Sequence, residues 1–314
     1  MRDLHVTYPG GVTAVRGVSF DLDAGETLGL AGESGCGKST IAAALLRLLP
    51  RGTEVTGEVL LHGEDVLAMK PGRLRAVRWE ELSIVFQGAL HSLNPVRRIG
   101  WQVEEAIAVH RPATSARETR ARVRELLETV GIPAARADDY PHQLSGGQRQ
   151  RVLIALALAC NPDVLIADEP TTALDVMVQA QVLRLLEELR TELGLAMLFI
   201  THDLSTLASV CRRLAVMYAG RLVEDGPADR VFGAPAHPYT EALAAAFPII
   251  GDPRFRNAPA GLAGDPPDPR ALPPGCPFNP RCVRATAACS EAEPALLEVA
   301  PGRRAACIHV RERV

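Results

Sequence analysis

The sequence contains no apolar run approaching the roughly 18 residues that a membrane-spanning helix needs. Its first residues also lack the basic stretch, apolar core and small-residue cleavage site of a secretory leader. Both absences predict a soluble, intracellular chain. A large excess of one charge is missing as well: a formal net charge of −3 and a pI near 6.3 leave no overall basic field, which argues against a dedicated nucleic-acid binder. There are no internal repeats and no low-complexity segments. None of the seven cysteines forms the tight C-x₂₋₄-C knuckle on which structural zinc usually rests. What remains is a chain of 314 residues, 47% of them hydrophobic, long enough for one substantial domain plus an extension.

The most informative stretch is Gly32-Glu33-Ser34-Gly35-Cys36-Gly37-Lys38-Ser39-Thr40, which fits G-x-x-x-x-G-K-[ST]. Glycines let such a loop turn tightly, so that backbone N–H groups converge on the α- and β-phosphates of a nucleotide. Lys38 can neutralise the β/γ-phosphates and Ser39 can supply an oxygen to Mg²⁺, while the helix opening there points its positive end at the anion. Cys36 occupies a variable position of the loop. The flanks agree: Glu26 to Ala31 reads as a short buried strand, and Ile41 to Leu49 as an apolar helix stopped by Pro50.

Val18 to Leu22 and Val55 to His62 read as strands of an antiparallel edge layer. Leu82 to Phe86, Asp163 to Ala167 and Ala196 to Ile200 are short apolar runs, as expected for parallel strands covered by helices on both faces. The expected fold is α/β and doubly wound. Val103 to Val109, Ser115 to Val130 and a helix opening near Gly146 form a helical insert, giving a core over 1–86 and 152–232 and a helical subdomain over 87–151. Beyond Phe232, eight prolines from Pro248 to Pro274 break any regular element and lead into an extension over 233–314. The Arg-rich segment Arg117 to Arg124 is most simply a solvated helix face.

Asp168-Glu169 ends one of the apolar strands, where ligands of open α/β sheets collect. Asp168 fits a Mg²⁺ partner and Glu169 a base that polarises the attacking water. Alone the pair would be a surface doublet; beside a phosphate loop it is a hydrolytic pair. Leu144-Ser145-Gly146-Gly147-Gln148 is a second Gly-rich turn opening a helix, and so another anion site or a plain N-cap. Two such starts with a single lysine-bearing loop suggest that the second serves a nucleotide held by another chain.

The phosphate loop, Gln87, the Ser145 turn, Asp168-Glu169, Ala173-Leu174-Asp175 and Thr201-His202-Asp203 follow one another as in ABC ATPases, a family this chain resembles over nearly its whole length. The resemblance implies a P-loop NTPase core with an antiparallel β layer, and head-to-tail dimers that sandwich two ATPs. Ser145, Gly146, Gly147 and Gln148 would contact the partner's ATP, and Asp175 would also lie at the nucleotide. His202 would reach the γ-phosphate, Gln87 would sense Mg²⁺ and attacking water, and Tyr8, 24 residues before Gly32, matches the adenine-stacking aromatic. Ser92-Leu93-Asn94-Pro95 and His237-Pro238-Tyr239-Thr240 resemble the oligopeptide/dipeptide importer branch. That branch implies ATP-driven uptake of peptides or a related solute at the cytoplasmic face of the membrane. Its partners would be a second, different ATPase, two permeases and, indirectly, a substrate-binding protein, with no nucleic acid. Gly88-Ala89-Leu90-His91 departs from the usual residues after Gln87, and the first strand begins late for the family, which suggests a misassigned start.

In that branch the extension ends in a cysteine pattern like Cys276, Cys282, Cys289 and Cys307, with five, six and seventeen residues between them. A four-iron cluster accepts ligands from more separated loops than one small ion does, so a [4Fe-4S] cluster is the expectation. Zinc, with His309 as a spare ligand, and disulfides or free thiols are the alternatives. Cys160 and Cys211, in apolar surroundings, read as packing residues.

Overall fold

The computed structural model describes residues 1–86, 88, 92–246 and 262–313. By its internal contacts the chain divides into two units: Met1–Asp21, Thr27–Ala68 and Phe199–Val314 form the first, Leu22–Glu26 and Met69–Leu198 the second. No helix among the described residues is long and apolar enough to cross a membrane.

In the first unit, strand Arg2–Tyr8 lies between Val12–Val18 and Glu54–Glu58, antiparallel to both. Alternation buries Leu4 and Val6 completely, and a register shift between Leu4 and His5 lets both Val15 and Val18, three residues apart on the neighbouring strand, be buried as well. The strand expected over Val18 to Leu22 therefore ends where it was expected to begin. Ser19 Oγ accepts the Asp3 N–H at 2.8 Å, so a side chain takes a bond that a continuing ladder would need. The strands that this unit contributes to a second sheet run in the order Leu297–Ala300, Arg303–Ala305, Arg221–Pro227, Arg213–Tyr218 and Thr27–Ala31, and of these only the last two are parallel. Thr27–Ala31 is buried along its whole length. Gly29 permits this, because a Cβ there would stand 2.6 Å from a Leu214 methyl and 3.1 Å from Leu207 on the covering helix Leu204–Val210.

The proline-rich extension is thus knitted into the first unit, with Glu224 paired to Ala305 and Asp225 to Arg304 across the sheet edge. Ion pairs add to the ladder. Arg16 bonds Glu293 at 2.7 Å, and Arg303 bonds the fully buried Glu224, which also accepts the N–H groups of Ala236 and His237 at 2.9 Å each. That buried carboxylate is stable because all its partners are fixed.

The second unit is mainly helical: Pro71–Glu80, Ile99–His110, Ala116–Thr129, Gly146–Ala157 and Val176–Leu193, with Leu82–Val85 and Val164–Asp168 paired in parallel. Strand Ala196–Thr201 has residues in both units. Ala116–Thr129 starts where the sequence puts it, since Ser115 and Glu118 form a reciprocal capping box. The helix buries Val123, Leu126 and Leu127 and leaves Arg117, Arg120 and Arg124 exposed, as expected of a solvated arginine face. Gly131, at φ 75°, turns the chain after it.

Candidate nucleotide site

The phosphate loop joins strand Thr27–Ala31 to helix Lys38–Leu45. The helix is shorter than the expected run to Leu49: Arg47 takes a left-handed backbone at φ 50° before Pro50 is reached. Gly37 caps its start at φ 108°, and a Cβ there would lie 2.3 Å from the Ala14 carbonyl oxygen. That neighbour is backbone and cannot yield, so the turn requires glycine. Ser34, Gly35 and Ser39 are exposed on the loop, whereas Gly32, Cys36 and Lys38 are buried. The Lys38 ammonium folds onto the loop itself, donating to the Gly32 carbonyl at 2.6 Å and the Glu33 carbonyl at 2.9 Å. Burial pushes the Cys36 thiol up, with Lys38 opposing, so the thiol stays protonated.

Tyr8 comes to this loop from the antiparallel sheet, its hydroxyl 3.1 Å from Thr40 Oγ1. A cleft of about 500 Å³ opens here, between Tyr8, Val12 to Ala14, Glu33 to Cys36 and Ala219-Gly220. Pro266 to Pro269 form another part of its wall. The proline segment therefore lines the same cleft as the phosphate loop. His202 also belongs to the first unit, exposed directly after strand Ala196–Thr201. The next residue, Asp203, caps helix Leu204–Val210 by accepting the N–H groups of Ser205 and Thr206.

The second unit carries the remaining expected residues. Asp168 is buried at the end of strand Val164–Asp168. Glu169 follows with a left-handed backbone at φ 47°, its carboxylate accepting the Thr172 hydroxyl at 2.8 Å. Such strain in a non-glycine residue gathers at functional sites. Ser145 caps helix Gly146–Ala157 through a capping box with Gln148: Ser145 Oγ accepts the Gln148 N–H at 3.3 Å, and Gln148 Oε1 accepts the Ser145 N–H at 3.0 Å. Gly147 packs so closely on helix Val176–Leu193 that a Cβ would fall 2.4 Å from a Val178 methyl. Asp175 caps that helix, accepting the Val178 N–H at 3.0 Å. Gln87 lies outside the described residues, as do the prolines at 248, 253 and 259.

Residues 15–172 match the ABC transporter family, and residues 223–289 match the family described as "Oligopeptide/dipeptide transporter, C-terminal region". This chain belongs to the ABC transporter family. The Escherichia coli oligopeptide transport ATP-binding protein OppD is 46% identical over 312 residues, 98% of this chain and 91% of OppD. A Brucella abortus protein named for peptide import ATP binding is 48% identical over 301 residues, 95% of this chain and 90% of that one. Among solved structures, the dimeric ATP-binding cassette MJ0796 bound to ADP and Pi shares 31% identity at a TM-score of 0.63, over 72% of this chain and 97% of its own. The fold is thus an ABC ATPase core with an antiparallel layer and a cysteine-bearing extension, and the activity is ATP hydrolysis coupled to transport.

In this ABC ATPase, Cys276, Cys282, Cys289 and Cys307 line one small cavity together with His309. Cys289 Sγ is 3.6 Å from His309 Nε2, and the backbone N–H groups of Arg284 and Thr286 approach the sulfurs of Cys282 and Cys289 at 3.4 and 3.5 Å. N–H groups aimed at sulfur suit thiolates on an iron–sulfur cluster. Yet among the described residues no three His, Cys, Asp or Glu side chains are grouped as ligands of a metal ion, so the expected ligand set is met as a pocket of thiols and not as a closed coordination shell. Burial pushes the Cys276 thiol up to about 11 and raises those of Cys282 and Cys307. None of the seven cysteines is in a disulfide, and Cys160 and Cys211 are buried, as read from their apolar surroundings.

Sequence reasoning missed two features of the nucleotide site. One is the proline wall. The other is a set of contacts made to Glu33 by Tyr239 and Arg281, more than 200 residues away. The His237 to Thr240 motif was visible in the sequence, but nothing local connects it to the phosphate loop.

Proposed function

We propose that this chain binds and hydrolyses ATP to power an importer for di- or oligopeptides or a related small solute. The observation that carries the reading is the joint presence of a built phosphate loop and an extension matching the oligopeptide/dipeptide group. Tyr8 would stack on the adenine, and the loop from Gly32 through Thr40 would hold the triphosphate. Ser39, Gln87 and Asp168 would hold Mg²⁺, a fit suggested by an exposed hydroxyl on the helix's first turn and a buried carboxylate at a strand end. Glu169 would orient and deprotonate the attacking water with His202 and Gln87 at the γ-phosphate. Ser145, Gly146, Gly147 and Gln148, with Asp175, would meet the ATP held by a partner ATPase.

The organisation that serves this is a core over 1–86 and 152–232, a helical subdomain over 87–151 that carries movement to the permeases, and the extension over 233–314. The partner ATPase would be a different chain, and the complex would include two permeases fed by a substrate-binding protein, with this subunit peripheral on the cytoplasmic face. Cys276, Cys282, Cys289 and Cys307 would ligate a [4Fe-4S] cluster, supported by their shared cavity and the N–H groups facing two of the sulfurs.

Mild-detergent co-purification of the tagged chain from its own cells, read by mass spectrometry, tests the assembly. Two permeases and a second ATPase are expected. Recovery of ribosomes or DNA instead, without membrane partners, would leave the ATPase standing and remove the importer.

A further inference from the structure

Glu33 places a carboxylate in the one loop whose task is to attract a polyanion. Uncancelled, that charge would oppose a triphosphate. Every polar group of Glu33 is nevertheless engaged. Its carbonyl accepts Lys38 at 2.9 Å, its N–H donates to the Tyr239 hydroxyl at 2.9 Å, and its two carboxylate oxygens accept the Arg281 fork at 2.6 and 2.9 Å. Arg281 comes from a point 248 residues further along the chain. Its side chain is only 6% exposed. Nε donates to the Ala263 carbonyl at 2.9 Å, one terminal nitrogen also reaches the Tyr218 hydroxyl at 3.3 Å, and the guanidinium lies 6.0 Å from the Phe278 ring centre. A planar fork held in this way cannot swing to solvent, and a lysine could not reproduce its two parallel bonds.

We propose that Arg281 is a positioning residue for ATP: it cancels the charge that Glu33 places at the loop's second residue, so that the cysteine-bearing extension is an integral part of the nucleotide site. The proposal rests on the reading that this loop holds the triphosphate. It assigns the extension a task at the phosphates that neither the phosphate-loop motif nor the cysteine pattern contains.

The test is titration of the full-length protein with a fluorescent ATP analogue and Mg²⁺, comparing wild type, Arg281→Ala, Glu33→Gln, the double variant and Lys38→Ala. Arg281→Ala is expected to weaken binding about tenfold, the scale of one uncancelled unit charge beside a partly solvated polyanion. Glu33→Gln should bind at least as tightly as wild type, and the double variant should return to within about twofold of it, because removing the carboxylate removes the need to cancel it. A mere tether predicts the opposite: Glu33→Gln as weak as Arg281→Ala, and no recovery in the double variant. Either result overturns the proposal, and Glu33→Gln alone decides it should Arg281→Ala fail to fold. In the assembled transporter Arg281→Ala should raise KM with kcat unchanged, and a fall in kcat at constant KM would refute it. Unchanged binding by Lys38→Ala would instead sink the phosphate-loop reading beneath it.

Discussion

Lowering the pH should weaken this protein through a single buried imidazole. His237 is 2% exposed, and burial pushes its pKa down to about 4. Its surroundings are built for the neutral ring: Nδ1 accepts the Tyr239 N–H at 3.0 Å, and the ring also bonds the backbone of Ala306. A proton on Nδ1 would face another donor. The charged group next to it in the chain fold is Glu224, whose carboxylate is occupied by Arg303 and by the N–H groups of Ala236 and His237. The sign follows from linkage. Unfolded, the ring takes a proton near pH 6.5; folded, it resists until about 4, so its contribution is fully present above 6.5 and is lost as pH falls through that window. At pH 5 the loss is about 2 kcal/mol, growing to about 3 kcal/mol near pH 4. Chemical denaturation followed by circular dichroism at pH 7 and pH 5 reads it, with His237→Asn as reference, since an amide oxygen can accept the same N–H two residues on. Titrations elsewhere cancel in the difference between the two proteins. If wild type and His237→Asn lose the same stability between pH 7 and pH 5, the imidazole is not held neutral and the reasoning fails.

Glu169→Gln should retain ATP binding while turnover in the assembled complex falls by about 10²- to 10⁴-fold, the usual scale for a general base; near-normal phosphate release would end that assignment. His202→Ala should slow phosphate release as well, and equal rates would remove it from the site. Gly37→Ala should lose at least about 2 kcal/mol of stability or abolish nucleotide binding, because its Cβ would sit 2.3 Å from the Ala14 carbonyl oxygen at φ 108°, which calorimetry and ATP titration would reveal. Anaerobically purified protein should carry iron and acid-labile sulfide that disappear when Cys276 and Cys289 are both changed to Ser; stoichiometric zinc without sulfide would contradict the cluster.

The expected residues that the structure reproduces most directly are those whose geometry is local. Lys38 bonds carbonyls five and six residues away, Ser145 and Gln148 cap each other within one turn, and Ser115 and Glu118 do the same. Such contacts depend on residue type and spacing, which a sequence displays. The strand expected at Val18 to Leu22 failed for a reason that is not local, since the Ser19 hydroxyl bonds a residue 16 positions earlier. The cysteine spacing likewise pointed to one pocket, while its walls, which include His237, Phe278 and Pro294, are brought around the thiols only by the tertiary fold.

By itself, then, the sequence determined the phosphate loop and the second glycine turn, helix starts whose hydrogen bonds close within a few residues, together with the carboxylates that end a short apolar run and the family that these motifs mark. Only the tertiary structure decided that Arg303–Ala305 would extend the sheet beside Arg221–Pro227, that Pro266 to Pro269 would line the nucleotide cleft, and that Arg281 would grip Glu33 across 248 residues. Those contacts pair segments distant along the chain, and the Arg281 fork meets its carboxylate beside Tyr218 and Phe278, an environment that exists only once the sheet has formed.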